Sequence, residues 1–195
     1  MDYFHWKLNG MKRALFMLIT ILITSVSLFA QDKYFTKTGK LSFYSKAPLE
    51  DIEAINKSVI VVLDAKSGNL QFSMLMKGFE FEKAMMEEHF NESYAETDKY
   101  PKAEFKGQIL NNSGINYTND GVYNAKVKGI LIIHGEAKEV ESNGKLYIKG
   151  GKLVADAKFN IQLSDFKINI PSLVKDKISN TVQISVDCAM EPLKS

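Results

Sequence analysis

The chain has 195 residues, of which 45% are hydrophobic, and its 25 lysine and arginine residues nearly balance 23 aspartate and glutamate residues. Without a basic excess it does not fit a nucleic-acid-binding protein, which needs a positive surface to displace counterions from phosphate. Arg13 is the only arginine, so the rest of the chain has no guanidinium fork to clamp a phosphate or carboxylate.

Residues 1–30 have the layout of a secretory signal. Lys12 and Arg13 form a basic segment, residues 14–23 form an apolar run, and the stretch ends in the small residue Ala30. We expect cleavage after Ala30. An uncleaved membrane anchor is the alternative, because the apolar stretch approaches the length that spans a bilayer. A start at Met11 would be conventional for such a signal, so residues 1–10 fit an over-long start.

Removing this leader changes the charge of the protein. Residues 1–30 contain Lys7, Lys12, Arg13 and Asp2, so the mature part, residues 31–195, keeps 22 basic and 22 acidic residues and has no net charge. We expect it to be periplasmic or secreted, with no stable membrane span after cleavage. No repeat or linker divides it, and its length suits one domain.

Alternation of apolar and polar residues with period two predicts strands along most of the mature part. Turn signals at Lys66–Asn69, Asn143-Gly144 and Gly150-Gly151 predict the hairpins between some of them. The apolar faces in chain order are Leu41 and Phe43; Val59 to Leu63; Leu70, Phe72, Met74 and Met76; Ala103, Phe105 and Ile109; Ala125, Val127, Leu131 and Ile133; Leu146 and Ile148; Leu153 to Leu163 at alternate positions; and Val182, Ile184, Val186 and Cys188.

About eight such strands, each apolar on one face and polar on the other, favour an antiparallel barrel or sandwich. A barrel of this size has an interior wide enough only for side chains or one small ligand. Packing the lysines, aspartates and glutamates of the polar face inside it would be costly, so we expect that face to meet water.

Two segments depart from the strand pattern. Residues 82–95 contain no glycine or proline, and aromatic and methionine residues recur there at helical spacing, which predicts a short amphipathic helix. Ser172 to Ile178, directly after Pro171, suits one or two helical turns.

Signals for catalysis or metal binding are weak. The mature part has two histidines, His89 and His134, and one cysteine, Cys188, without HxxxH, CxxC or GxSxG spacing. His89 stands among glutamates, which is typical of a solvated helix end. Glu136 follows His134 by two residues, but the glycine between them indicates a turn. We therefore predict no catalytic residues and no metal site.

The apolar face is rich in phenylalanine and methionine, and methionine suits a pocket that adapts to a long ligand. Periodicity alone does not separate a hollow barrel from a filled one, and on the residues alone an ordinary core is favoured.

Four segments in order resemble the YceI-like, polyisoprenoid-binding family. They are Ser42-Phe43 in the opening strand, residues 72–105 ending in DKYPKAEF, residues 129–138 reading GILIIHGEAK, and residues 159–170 containing Asp165-Phe166-Lys167-Ile168. Ile132 and Glu136-Ala137 differ from the family's pattern at a strand end, where we expect an effect on loop geometry more than on the pore.

The resemblance implies a lipocalin-like barrel whose long apolar pore holds an isoprenoid or similar amphiphile. It also favours pocket lining over plain core for the apolar face, with residues 79–90 as a lid-like helix and loop and Cys188 as a buried thiol. The residues expected to line the pocket are Phe72, Met74, Met76, Phe79, Phe81, Met85, Phe90, Phe105, Leu131, Ile133, Phe159 and Ile161.

The first functional hypothesis is therefore a carrier or store of one lipophilic molecule, such as a polyprenyl lipid, a quinone or a fatty amide, with no other cofactor. The alternatives are a filled barrel that acts through its outer loops in interaction or stress response, and a lipid-modifying enzyme that uses His89 or His134. An apolar tunnel with a volume on the order of several hundred Å³ would favour the carrier over the filled barrel. The oligomeric state is left open, a dimer included.

Overall fold

Nine strands make up most of the computed structural model, which describes residues 33–174 and 176–193. They form one antiparallel sheet in the order β1-β9-β8-β7-β6-β5-β3-β2-β4. Their bounds are β1 (Lys33–Lys46), β2 (Asp51–Asp64), β3 (Asn69–Leu75), β4 (Phe79–Phe81), β5 (Lys102–Ile109), β6 (Gly121–Ile133), β7 (Glu136–Lys149), β8 (Lys152–Gln162) and β9 (Thr181–Pro192). Because β1 also pairs with β2, eight strands close into a barrel. The ninth strand, β4, pairs with a part of β2 that β3 leaves unpaired. The predicted eight-stranded barrel is confirmed.

The predicted helix is present and shorter than expected. Helix α1 spans Ala84–His89 and continues as a π-helical stretch, Phe90–Tyr94. It begins at Ala84 and not at residue 82, shortly after Phe79–Phe81, which pairs with β2 as a strand. After Pro171 the chain makes a 3₁₀ turn, Ser172–Val174, where helical turns were expected. Within the described ranges no helix is long and apolar enough to cross a membrane.

The hairpin predicted at Asn143-Gly144 is wrong. Both residues lie inside β7, and Gly144 pairs with Ala157 of β8. A Cβ atom on Gly144 would lie 2.7 Å from the carbonyl oxygen of Asp156, so the glycine permits two strands to approach closely. The same dipeptide that marks turns elsewhere marks a tight strand contact here.

The turn that leads into β7 is His134-Gly135. Both residues have positive φ, 53° and 76°, as a two-residue type I′ hairpin requires. A hairpin predicted at Gly150-Gly151 does join β7 to β8, with φ of 56° and 76°. The predicted turn over residues 66–69 also stands, and Gly68 in it has a φ of 75°.

Strand alternation places apolar side chains inside the barrel. In β9 every second residue from Val182 to Met190 is at most 8% exposed, and the residues between them face outward. Cys188 belongs to the inward set and is fully buried, as predicted. Its thiol donates to the carbonyl oxygen of Lys40 at 3.5 Å.

A chain of polar contacts lies at the barrel end away from α1. The Tyr34 hydroxyl donates to the carbonyl oxygen of Tyr117 at 3.2 Å, and the Tyr117 hydroxyl donates to Oδ1 of Asn112 at 2.8 Å. The Nδ2 atom of Asn112 in turn donates to the carbonyl oxygen of Ala65. Burial raises the pKa of both tyrosines, so these hydroxyls stay protonated and remain donors at neutral pH.

Cys188 should be inert in the native protein. Burial raises the pKa of its thiol to about 12, and thiol reagents attack the thiolate. We expect Ellman's reagent at pH 8 to label native protein at least about a hundredfold more slowly than protein in guanidinium chloride. Stoichiometric labelling of the native protein at the unfolded rate would contradict the buried position.

Candidate ligand-binding cavity

The inward face of the barrel encloses two apolar cavities. The outer cavity, about 500 Å³, lies at the end that carries α1, here termed the helix end. The inner cavity, about 110 Å³, lies deeper and reaches Leu63, Ile109 and Met190. Eight strands therefore surround a space that their side chains do not fill.

All twelve residues predicted to line a pocket border one of these cavities. Ten line the outer cavity, and Phe72 and Phe105 line the inner one. The ten are Met74, Met76, Phe79, Phe81, Met85, Phe90, Leu131, Ile133, Phe159 and Ile161. Their placement follows from the alternation of β3, β6 and β8, together with the covering position of β4 and α1.

Four side chains border both cavities and so form a partition between them. Leu41, Met74, Leu131 and Phe159 come from β1, β3, β6 and β8. None of them is fully buried, and Met74 has the flexible side chain that suits an adaptable surface. A long apolar chain would need this partition to rearrange in order to occupy both spaces lengthwise.

Two paired glycines lie against Phe105, which lines the inner cavity. Gly107 of β5 and Gly129 of β6 face each other, and the ring of Phe105 lies against both. A Cβ atom on Gly129 would stand 2.5 Å from the Cα atom of Gly107 and 2.7 Å from Cζ of Phe105. Because these two positions carry no side chain, the Phe105 ring packs directly against the backbone of β5 and β6.

An aromatic cluster holds the helix end together. Phe43 of β1 packs against Phe79 and Phe81 of β4 and against Phe90, with ring centroids 5.1–5.8 Å apart. Phe90 also contacts both β4 rings. The cluster fixes the segment of residues 79–90 over the outer cavity, which is where the predicted lid was expected.

Sequence reasoning missed several residues of the outer cavity. Leu41 and Phe43 alternate along β1, so their spacing already marked them as inward-facing. Tyr94 belongs to the helical pattern of residues 82–95. Ile168 and Val174 lie on segments whose position depends on tertiary packing, and no local pattern identifies them.

Polar side chains border the outer cavity where it reaches the surface. Glu50, Lys83, His89 and Lys177 are this surface lining, and the buried Ser45 lies further in. Lys83 Nζ pairs with Glu50 Oε1 at 2.6 Å, which raises the pKa of Lys83. Ser45, only 2% exposed, accepts a hydrogen bond from the backbone of Ser179 at 3.2 Å. The site therefore has an apolar interior and a polar rim.

The two histidines have different surroundings. His134 does not line either cavity: Nδ1 lies 3.1 Å from the carbonyl oxygen of Phe166, and Nε2 lies 2.6 Å from Oε2 of Glu96. Its ring packs on Tyr100 with centroids 4.3 Å apart. Both ring nitrogens have partners, so this histidine joins three segments. His89 lines the outer cavity.

Within residues 33–174 and 176–193, no three histidine, cysteine, aspartate or glutamate side chains gather as they would around a metal ion. Glu136, which follows His134, pairs with Lys167 at 2.7 Å, and this pairing lowers the pKa of its carboxyl group.

A family model described as YceI-like domain matches residues 24–190. The fold is similar to a polyisoprenoid binding domain from Saccharophagus degradans implicated in plant cell wall breakdown, at a TM-score of 0.73 and 13% identity, covering 83% of this chain and 99% of that one. It is also similar to Burkholderia cenocepacia BcnA, at 0.65 and 23% identity, covering 77% and 95%. A Campylobacter jejuni YceI protein matches at 0.52 and 17% identity, covering 71% and 81%. The comparison with curated proteins found no match.

Replacing Gly129 with alanine should destabilise the barrel, because the new methyl group meets backbone atoms of β5. Overpacking typically costs about 1–3 kcal/mol, which lowers the melting temperature of a domain of this size by about 2–12 °C. Gly114→Ala is the control, since a Cβ atom there meets nothing within 4 Å. Equal melting temperatures of the two variants, measured by circular dichroism, would contradict the close approach of the strands.

Proposed function

The chain belongs to the YceI-like family, and from this premise we propose that it is an exported carrier that holds one long lipophilic molecule in its barrel. The observation that carries the proposal is the outer cavity of about 500 Å³, which is apolar inside and polar at its rim. This volume lies in the range of small-molecule sites, about 300–1,000 Å³. A hollow barrel of this kind favours a carrier over a filled barrel that acts through its loops.

The free energy of binding would come from burial of the ligand's tail. Each methylene group removed from water gains about 0.8 kcal/mol, whereas association costs about 4–15 kcal/mol once. A short tail therefore barely offsets the cost, and a long tail is needed for tight binding. Polyprenyl lipids, quinones and fatty amides all have such tails, and the similar Saccharophagus degradans domain is described as polyisoprenoid binding.

The distribution of polar groups supports one orientation of the ligand. Lys83, Glu50 and Lys177 stand at the surface end of the outer cavity, and the partition residues at its inner end are apolar. A polar head group placed at the rim remains hydrated, while the tail points toward Phe72 and Phe105. Binding, rather than chemical conversion, is the proposed activity. His134 is held by two partners outside the cavities, and His89 stands at the polar rim of the outer cavity and not in its apolar interior.

Export is part of the proposal. Its support is the signal-like layout of residues 1–30, which lie outside the described residues, and cleavage after Ala30 would release the barrel into the periplasm or the medium. The carrier would then transport, store or sense a lipid outside the cytoplasm.

Affinity should rise with tail length until the two cavities are filled. For geranyl, farnesyl and geranylgeranyl probes with one common head, we expect the dissociation constant to fall about tenfold or more per added unit, since about 1.4 kcal/mol is a factor of ten. The Leu131→Trp variant fills the partition and should remove the gain of the longest probe. Ile130→Trp, at the outward-facing neighbour, is the control. Affinity that does not depend on tail length in the unmodified protein, measured by calorimetry, would refute tail burial.

A further inference from the structure

The barrel wall contains a stretch where two neighbouring strands separate. The ladder between β7 and β8 runs from Lys149↔Lys152 to Gly144↔Ala157 and stops there. Beyond it, residues 136–143 pair with β6, and residues 158–162 pair with β9, but in the described structure these two stretches do not pair with each other. We call this gap the β7–β8 window. Five residues of β8 span about 16 Å along its edge.

Side-chain contacts bound the window at the end where β7 begins. Lys167 Nζ meets Glu136 Oε1 at 2.7 Å, and the His134 ring meets the carbonyl oxygen of Phe166 at 3.1 Å. The two contacts join the His134-Gly135 turn and the first residue of β7 to a 3₁₀ turn after β8, Leu163–Phe166, and to Lys167 directly after it. The paired Gly144 and Ala157 close the lower end. The window is therefore a bounded opening rather than a frayed end.

Each edge of the window is held by its other neighbour. β7 stays paired with β6 along the whole window. A two-residue turn joins these strands, and their ladder runs without interruption from Ile133↔Glu136 to Gly121↔Ile148. The end of β8 follows β9, where the backbone nitrogen of Leu163 donates to the carbonyl oxygen of Asn180 at 2.8 Å. Backbone groups along the two free edges do not bond each other, and they need other hydrogen-bond partners, of which water is one.

The window leads to the inner cavity. Val140, Ser142 and Gly144 of β7 and Ala157 and Phe159 of β8 line that cavity from the two edges. Three of these side chains are small or absent. The outward-facing residues that alternate with them along β7 and β8 are polar. The window therefore lies next to the deep apolar space on the far side of the partition.

We propose that the β7–β8 window is a lateral portal through which the apolar tail of the ligand reaches the inner cavity. The proposal rests on the carrier function proposed above. A tail that enters from the helix end must pass α1, the outer cavity and the partition along its whole length. A tail that enters sideways moves only across the wall, and Phe159, which borders the window and both cavities, is the side chain that must give way.

A crosslink across the window tests the portal. Extending the β7–β8 register places Glu141 opposite Asn160, and both residues lie on the outer surface. A disulfide between Glu141→Cys and Asn160→Cys would therefore crosslink the two edges of the window. A short bis-maleimide replaces the disulfide if the two edges stand too far apart for one. The probe is a geranylgeranyl amine carrying a dansyl head, whose uptake is followed by fluorescence. We expect the crosslink to slow uptake about tenfold or more, and reduction of the disulfide to restore it.

The matched control is Tyr147→Cys with Val154→Cys, which bridges directly paired residues of the same two strands. It should leave the uptake rate unchanged. If the window crosslink also leaves the rate unchanged, the ligand enters from the helix end and the portal is refuted. If the uncrosslinked protein takes up no probe at all, the carrier function fails as well, so the two failures are distinguishable.

Discussion

Backbone hydrogen bonds between β1 and β2 close the sheet, and the interior of the protein depends on this closure. An open sheet of the same strands would leave two edges unpaired and an apolar face in contact with water. Closure turns that face inward on all sides at once. It also fixes how much space the side chains must fill, because the diameter of a barrel follows from its strand number and stagger.

The side chains then decide where this space remains empty. Around the helix end, Phe43, Phe79, Phe81 and Phe90 form one cluster whose rings contact each other and cover the outer cavity. Deeper in the barrel, glycine and alanine occupy inward positions of β5, β6, β7 and β8, so the strands approach closely and leave the inner cavity between them. Large side chains thus cover the outer cavity, and small residues lie in the strands around the inner cavity.

Period-two alternation predicted most of the fold, because in a one-domain barrel the inward face of each strand is its apolar face. The choice of pocket-lining residues rested on the family resemblance, since alternation alone does not separate a hollow barrel from a filled one. The turn signals failed where a residue type serves two purposes. Asn143-Gly144 indicates a turn by its local preference, yet both residues lie in β7. The glycine is needed there because Asp156 of the next strand leaves no room for a side chain. The β7–β8 window and the His134–Glu96 contact join segments far apart in the chain, and no local pattern predicts them.

Native mass spectrometry of the protein purified from the cells that make it, followed by organic extraction, tests the central claim most directly. If the barrel is a lipid carrier, the spectrum will contain a stoichiometric adduct, and the extract will contain one class of molecule with a long apolar tail. A clean mass of the protein alone, with no uptake of added prenyl lipids or quinones, would contradict the account and direct attention to the outer loops.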